Sequence, residues 1–91
     1  MNEPPESNEQ GLALEARADY RVDARDLACP LPLLRARQAL ADLAPGQSLY
    51  VCCTDPGSWR DFESFAAHAS HRLAARRRSD NVYHYVLIKG G

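Results

Sequence analysis

The sequence predicts an α/β domain, ordered β-α-β-α-β-β, in which two helices cover one face of a four-stranded mixed sheet with at least one right-handed crossover. Three observations predict it. Strand-like runs occur at Tyr20-Arg21-Val22-Asp23-Ala24, Leu49-Tyr50-Val51-Cys52-Cys53 and Val82-Tyr83-His84-Tyr85-Val86-Leu87-Ile88. Between them apolar residues return at helical spacing, and the turn-forming groups Pro45-Gly46, Asp55-Pro56-Gly57 and Ser79-Asp80-Asn81 separate the segments.

The first strand, at 20–24, alternates apolar and polar residues as a strand with one buried face does. Pro30 and Pro32 suit a first helical turn, where backbone N–H groups have no intrahelical acceptor, so a helix is expected to begin at Cys29 or just after it. Its apolar positions are Leu33, Ala36, Leu40 and Leu43, and Pro45-Gly46 ends it. Residues 48–54 form a continuous strand-compatible run, expected to be central and covered on at least one face. Ser58 followed by Asp61 reads as an N-cap with an acid in the first turn. Trp59, Phe62, Phe65, Ala66 and Ala69 then give a second amphipathic helix that stops near Ser70-His71. Residues 73–78 are a weaker, strongly basic strand candidate, and 82–88 the last strand.

A chain of 91 residues, 45% hydrophobic with a formal net charge of -1, has the balance of one soluble globular domain. A domain of this size hides about 60–65% of the surface its unfolded chain exposes, too little for a deep, enclosed active site. Chemistry is therefore expected at the surface, which favours a carrier or adaptor over a self-contained catalyst. Residues 1–17 hold Glu3, Glu6, Glu9 and Glu15 against Arg17 alone and open on Pro, Glu, Ser, Asn and Gln, the composition of a disordered acidic tail. The domain is placed at 18–91. No basic start precedes an apolar run, and no 18 apolar residues are consecutive, so neither secretion nor a membrane span is expected. Three cysteines, two of them adjacent, make a poor disulfide framework and point to a reducing compartment, the cytoplasm.

Cys29 is the candidate working atom. A cysteine at a helix start has its anion favoured by free backbone N–H groups and by the positive end of the helix dipole. Pro30 and Pro32 stiffen the turn that presents the sulfur, and Arg25 or Arg35 would add positive charge. The structural alternative, a small buried side chain beside a proline, stands on equal footing by these considerations.

A family resemblance separates the two. Asp23-Ala24-Arg25, Leu27-Ala28-Cys29-Pro30-Leu31-Pro32, Leu40, Pro45-Gly46, Thr54-Asp55-Pro56-Gly57-Ser58, Asp61, Phe65, His71 with Leu73, and Tyr83-His84-Tyr85 with Lys89 resemble the TusA/SirA-like sulfur-carrier family over residues 22–89. The resemblance implies a two-layer α/β sandwich of the order above. It also implies a function: sulfane sulfur taken as a persulfide on Cys29 from a cysteine desulfurase or rhodanese-like donor, then passed to a downstream acceptor protein. The routes so served are tRNA thiolation, molybdenum cofactor maturation and sulfur oxidation. No cofactor beyond the covalent sulfur, no metal, no direct nucleic-acid binding and a monomer are expected. Arg25, Asp26, Pro30 and Pro32 are assigned to positioning the cysteine loop, and Arg35, Asp55 and Trp59 to partner contacts. The sequence departs from the family at Asp26 and Ser70, where glycine is common, and at Gln38, often basic. Aspartate tolerates a left-handed turn, but a carboxylate at Asp26 would weaken a nearby thiolate.

Other residues invite other chemistry. Cys52 and Cys53 would point to opposite faces of a strand, with at least one in the core. A redox partnership of either with Cys29 is a further alternative, and it requires the sulfurs to lie within disulfide reach. His68, His71 and His84 lack metal-ligand spacing with the cysteines. Arg72, Arg76, Arg77 and Arg78 suit either a solvated edge strand or the phosphates of an RNA, the latter making the domain a non-catalytic regulatory or RNA-binding module.

Overall fold

The structure is a computed structural model, and it describes residues 9–91. Its elements are α1 (Glu9–Ala16), β1 (Tyr20–Ala24), α2 (Leu31–Ala41), β2 (Ser48–Cys53), α3 (Ser58–His68), β3 (Arg72–Ser79) and β4 (Val82–Ile88). The four strands lie in the order β1-β2-β4-β3. β1 and β2 are parallel, joined through α2, while β4 runs antiparallel to both β2 and β3 and inserts between them. The four-stranded mixed sheet and the β-α-β-α-β-β succession from β1 to β4 are thus present.

Alternation along β2 sends Leu49, Val51 and Cys53 inward, and the register places Val51 opposite Tyr85 and Leu49 opposite Leu87. Ala36 and Leu40 of α2 and Phe62 of α3 close over this face with Ala24 and Leu43. Phe62 stacks on Tyr85 with ring centroids 4.2 Å apart. The connection from α2 into β2 turns at Gly46, whose φ of 91° is left-handed and favours glycine. Lys89, just beyond β4, gives its ammonium to the Leu40 carbonyl at 2.6 Å, where a cation suits a helix C-terminus.

The structure departs from the sequence expectation in four places. Within the stretch expected to be a disordered tail, Glu9–Ala16 is helical; residues 1–8 lie outside the described residues. Composition undervalues this segment because its stabilisation is tertiary. Glu15 is only 8% exposed and holds the Arg77 guanidinium in a fork, Nε to Oε2 at 2.7 Å and Nη2 to Oε1 at 2.9 Å. Arg77 pairs in register with His84, on the face opposite Tyr85, so α1 covers the sheet surface that a two-layer arrangement leaves wet. This explains why Tyr85, Val86 and Leu87 are all fully buried although consecutive strand residues face opposite ways.

The second departure is at α2: it begins at Leu31, just after Cys29 as expected, with Pro30 in the capping position, but it ends at Ala41, so that Leu43 lies beyond it. Third, Ser58 does not cap α3: Gly57 takes that place, and the Ser58 hydroxyl turns inward to Tyr85 Oη at 2.6 Å. Fourth, β3 extends one residue further at each end than residues 73–78 and forms the sheet edge, with its register slipping between Leu73 and Ala75, an irregularity common on edge strands.

The core hinges on the aromatic stack, which yields a stability test. Phe62→Ala should cost about 3–4 kcal/mol, as for other buried aromatic truncations. A urea titration checks it, with a lowered midpoint at unchanged slope as the expected outcome.

Candidate functional site

Between β1 and α2 the chain makes a tight loop. Asp26 sits in it at φ 68°, the left-handed conformation expected of this position, and its N–H donates to Thr54 Oγ1 at 2.9 Å. This bond ties the loop to the end of β2. Cys29 follows, exposed, at the same end of the sheet as the turn that leads into α3.

The start of α2 offers Cys29 few free backbone donors. Pro30 and Pro32 have no N–H, Leu31 N–H is taken by the Ala28 carbonyl at 2.8 Å, and Leu34 N–H by the Pro30 carbonyl at 3.1 Å. Of residues 30–34, Leu33 alone has an N–H outside these bonds. Four of the five positions at this helix start thus have no N–H to offer an anion, which leaves Leu33 N–H as the remaining donor there.

What faces the sulfur instead is acidic. The Cys29 thiol donates to Asp61 Oδ2 at 3.0 Å. Asp61 stands in the first turn of α3, its N–H on the Gly57 carbonyl at 3.1 Å. Asp55, in the preceding turn, has its Oδ2 buried with no hydrogen-bond partner. One donor atom from each of Cys29, Asp55 and Asp61 lies within 4.8 Å of the others. Gly57 makes room for this convergence: a Cβ there would sit 3.1 Å from Asp55 Oδ2 and 4.0 Å from Cys29 Cβ.

The thiol pKa is therefore pushed up from the ordinary cysteine value, first by the hydrogen bond to Asp61, then by partial desolvation, then by the charges of Asp61 and Asp55. This overturns the expectation of a stabilised thiolate. It also moves the disturbing carboxylate from Asp26, where sequence placed it, to Asp61.

Among the described residues these three are the group whose donor atoms could converge on a metal ion, one thiol and two carboxylates. They fall short of the four ligands that close a structural zinc site. The histidines are not among them. His68 Nδ1 meets the Ser64 carbonyl, His71 Nδ1 accepts the Gly90 N–H, and His84 Nδ1 pairs with Tyr50 Oη.

The remaining sequence candidates divide. Pro30 and Pro32 flank the sulfur as expected, with Pro32 buried under the start of α2. Arg25 does not serve the thiol: its guanidinium forks onto Asp23, Nε to Oδ1 at 2.9 Å and Nη2 to Oδ2 at 2.8 Å. Arg35 is exposed on α2, near the exposed Leu31 and Leu34 that sequence reasoning did not single out. Trp59 is half-buried, with Arg76 and Arg78 over its ring at 4.1 and 5.3 Å, and it lines a surface hollow together with Gly57 and Asp61. Cys53 is buried, its thiol donating to Ser58 Oγ at 3.1 Å, while Cys52 faces the other side of the sheet and approaches Asp23 Oδ1 at 3.6 Å. All three cysteines are free.

Asp61, to which the sequence assigned no part in the site, is the residue whose carboxylate meets the Cys29 thiol. Its signal was present in the spacing: an acid in the first turn of the helix that follows the Asp55-Pro56-Gly57 turn. Nothing local says that this helix packs beside Cys29.

Residues 20–89 match the family model described as Sulfurtransferase TusA. A sulfur carrier protein TusA from Allochromatium vinosum is 39% identical over 71 residues, covering 78% of this chain and 93% of that one. In fold, the chain is similar to the crystal structure of a SirA-like protein from Desulfitobacterium hafniense, with a TM-score of 0.68 at 23% identity, covering 79% of this chain and 99% of the other.

The geometry predicts how the free thiol titrates. Alkylation of Cys29 by iodoacetamide, mapped by peptide mass, should rise only at a pH above that of an ordinary cysteine, because the carboxylate disfavours the anion. Asp61→Asn should shift that profile to lower pH and speed alkylation several-fold at pH 7. An unchanged profile would show that Asp61 does not control the thiol.

Proposed function

The chain belongs to the TusA family of sulfurtransferases, and we propose that it carries sulfane sulfur as a persulfide on Cys29. The observation that carries this reading is the exposure of Cys29 on a loop tied to the end of β2, while Cys53 is buried and Cys52 lies on the opposite sheet face. A sulfur that must be reached by two different proteins in turn has to be displayed, and Cys29 is the exposed thiol of the three, Cys52 being partly covered and Cys53 buried.

Transfer between persulfides needs no cofactor, since the sulfane sulfur moves with its oxidation state unchanged from one thiol to the next. The donor is a cysteine desulfurase or a rhodanese-like protein, and the acceptor a downstream thiol protein of tRNA thiolation, molybdenum cofactor maturation or sulfur oxidation. Exposed Leu31 and Leu34, at 43% and 44%, together with Arg35 on the first turns of α2, supply an apolar and cationic rim beside the sulfur for such partners to contact. Three free thiols suit a reducing compartment such as the cytoplasm, and no helix among the described residues is long and apolar enough to cross a membrane.

The arginine cluster does not favour the RNA-binding alternative. Arg76 is drawn onto Glu63 at 3.6 Å and onto Trp59, Arg77 onto Glu15, and Arg78 onto Trp59. These contacts divide the charges between the two faces of an edge strand.

Incubation with a cysteine desulfurase and cysteine should add the mass of one sulfur atom to the intact chain, released by a thiol reductant. Cys29→Ser should abolish the gain and Cys52→Ser should leave it. A wild-type chain that gains nothing, or a gain that survives Cys29→Ser, would overturn the reading.

A further inference from the structure

A carrier whose resting thiol is held protonated needs somewhere to put that proton when sulfur arrives. Direct attack by free thiolate is a poor route here, because two carboxylates face the sulfur and all but one of the helix-start donors are missing or used. The same geometry offers another route. Cys29 Sγ and Asp61 Oδ2 stand 3.0 Å apart with the thiol hydrogen directed at the carboxylate, within the reach required of a general base and with no intervening group. Asp55 Oδ2, buried and unpartnered nearby, keeps the surroundings hostile to a lone thiolate, so loss of the proton is best coupled to attack.

Resting on the carrier function above, we propose that Asp61 is a catalytic residue of sulfur transfer, the base that takes the Cys29 proton as Sγ attacks and returns it to the departing thiolate. The step balances. Sγ attacks the outer sulfur of a donor persulfide R–S–SH; the new Sγ–S bond forms as the donor's S–S bond breaks, and the electron pair of that bond leaves on the inner sulfur as R–S⁻. The thiol proton passes to Asp61 Oδ2 and from there to R–S⁻. Cys29–SH and R–S–SH become Cys29–S–SH and R–SH, with no oxidant or reductant consumed. Discharge is the reverse: an acceptor thiol takes the outer sulfur, Cys29 leaves as thiolate, and a proton comes back through Asp61.

The mechanism separates two reactions of one sulfur. Alkylation by a neutral reagent follows the thiolate fraction, which Asp61 suppresses. Sulfur loading uses Asp61. The test measures both on the full chain, wild type, Asp61→Asn and Asp61→Glu, between pH 6 and 8. Iodoacetamide reports the first reaction, and single-turnover uptake from glutathione persulfide, read by intact mass, reports the second. The ratio of variant to wild-type uptake at each pH cancels the donor's own titration.

Asp61→Asn should alkylate faster than wild type at pH 7 yet load sulfur at least about tenfold more slowly, the low end of general-base contributions being about a hundredfold and part of it being offset by the larger thiolate fraction. The loading deficit should be greatest at pH 6 and shrink towards pH 8. Asp61→Glu, which keeps a carboxylate, should recover part of the loading rate. Loading that rises in step with alkylation in Asp61→Asn, or that stays unchanged, overturns the role of Asp61 and leaves the carrier function standing. Failure of the wild-type chain to load at all would instead remove the carrier function on which the proposal rests.

Discussion

Tyr85 carries a hydroxyl into the fully buried centre of the sheet, and a buried hydroxyl without a partner costs on the order of 1–3 kcal/mol. Its partner is Ser58 Oγ at 2.6 Å, the first residue of α3, and Ser58 in turn accepts from the Cys53 thiol on β2. Burial holds the Tyr85 phenol well above its usual pKa, so it stays a hydrogen-bonding hydroxyl throughout the physiological range. These bonds anchor the start of α3 to the two central strands. Phe62, one turn along, stacks on the same tyrosine ring. With both contacts made, residue 61 has little freedom, and its carboxylate is delivered to the cysteine loop. The working site is thus a consequence of how a buried phenol is satisfied.

The opposite face is organised by an ion pair instead of an aromatic. Glu15 and Arg77, with side chains 10% and 18% exposed, form a two-point fork, and Arg21 Nη1 donates to the Glu15 carbonyl at 2.8 Å. A pair this enclosed gives up much of its hydration, so its net contribution to stability is small compared with its effect on specificity of placement. It sets where α1 lies and shields Val86. Tyr50 and His84 join the same layer through their 2.7 Å hydrogen bond, with burial pushing the Tyr50 phenol up to about 12 and holding the His84 ring below its ordinary value.

Strands and turns were legible in the sequence because their signals are local: alternation at 20–24, β-branched and aromatic density at 82–88, and Asp55-Pro56-Gly57 before a helix. The left-handed turn at Asp26 was legible for the same reason, since aspartate is among the few residues that adopt it readily. Three things were hidden. The helix at Glu9–Ala16 depends on a partner 62 positions away, so composition alone reads the segment as tail. Ser58 has the residue type and place of an N-cap, yet its hydroxyl serves a strand that follows 27 positions later. Cys29 and Asp61 are 32 positions apart, and only the packing of α3 beside the cysteine loop makes them a pair. In each case the missing information was a long-range contact that overrode a sound local preference.

The two prolines that announce the site also explain why it needs an acid. By removing two N–H donors from the start of α2 they reduce the stabilisation that makes helix-start cysteines acidic, while the sulfur stays exposed. For a carrier this combination has a use. A strongly stabilised thiolate is a good leaving group but a weaker nucleophile, and an exposed one is readily oxidised. A thiol kept protonated is quiet towards oxidants and keeps the nucleophilicity that goes with a high pKa. The drawback is a small thiolate fraction at neutral pH. A carboxylate in direct contact compensates for it, because proton removal is then confined to the moment of attack and reversed at the moment of release. Acceptance and discharge become mirror images at one sulfur, which suits a protein that must do both equally well.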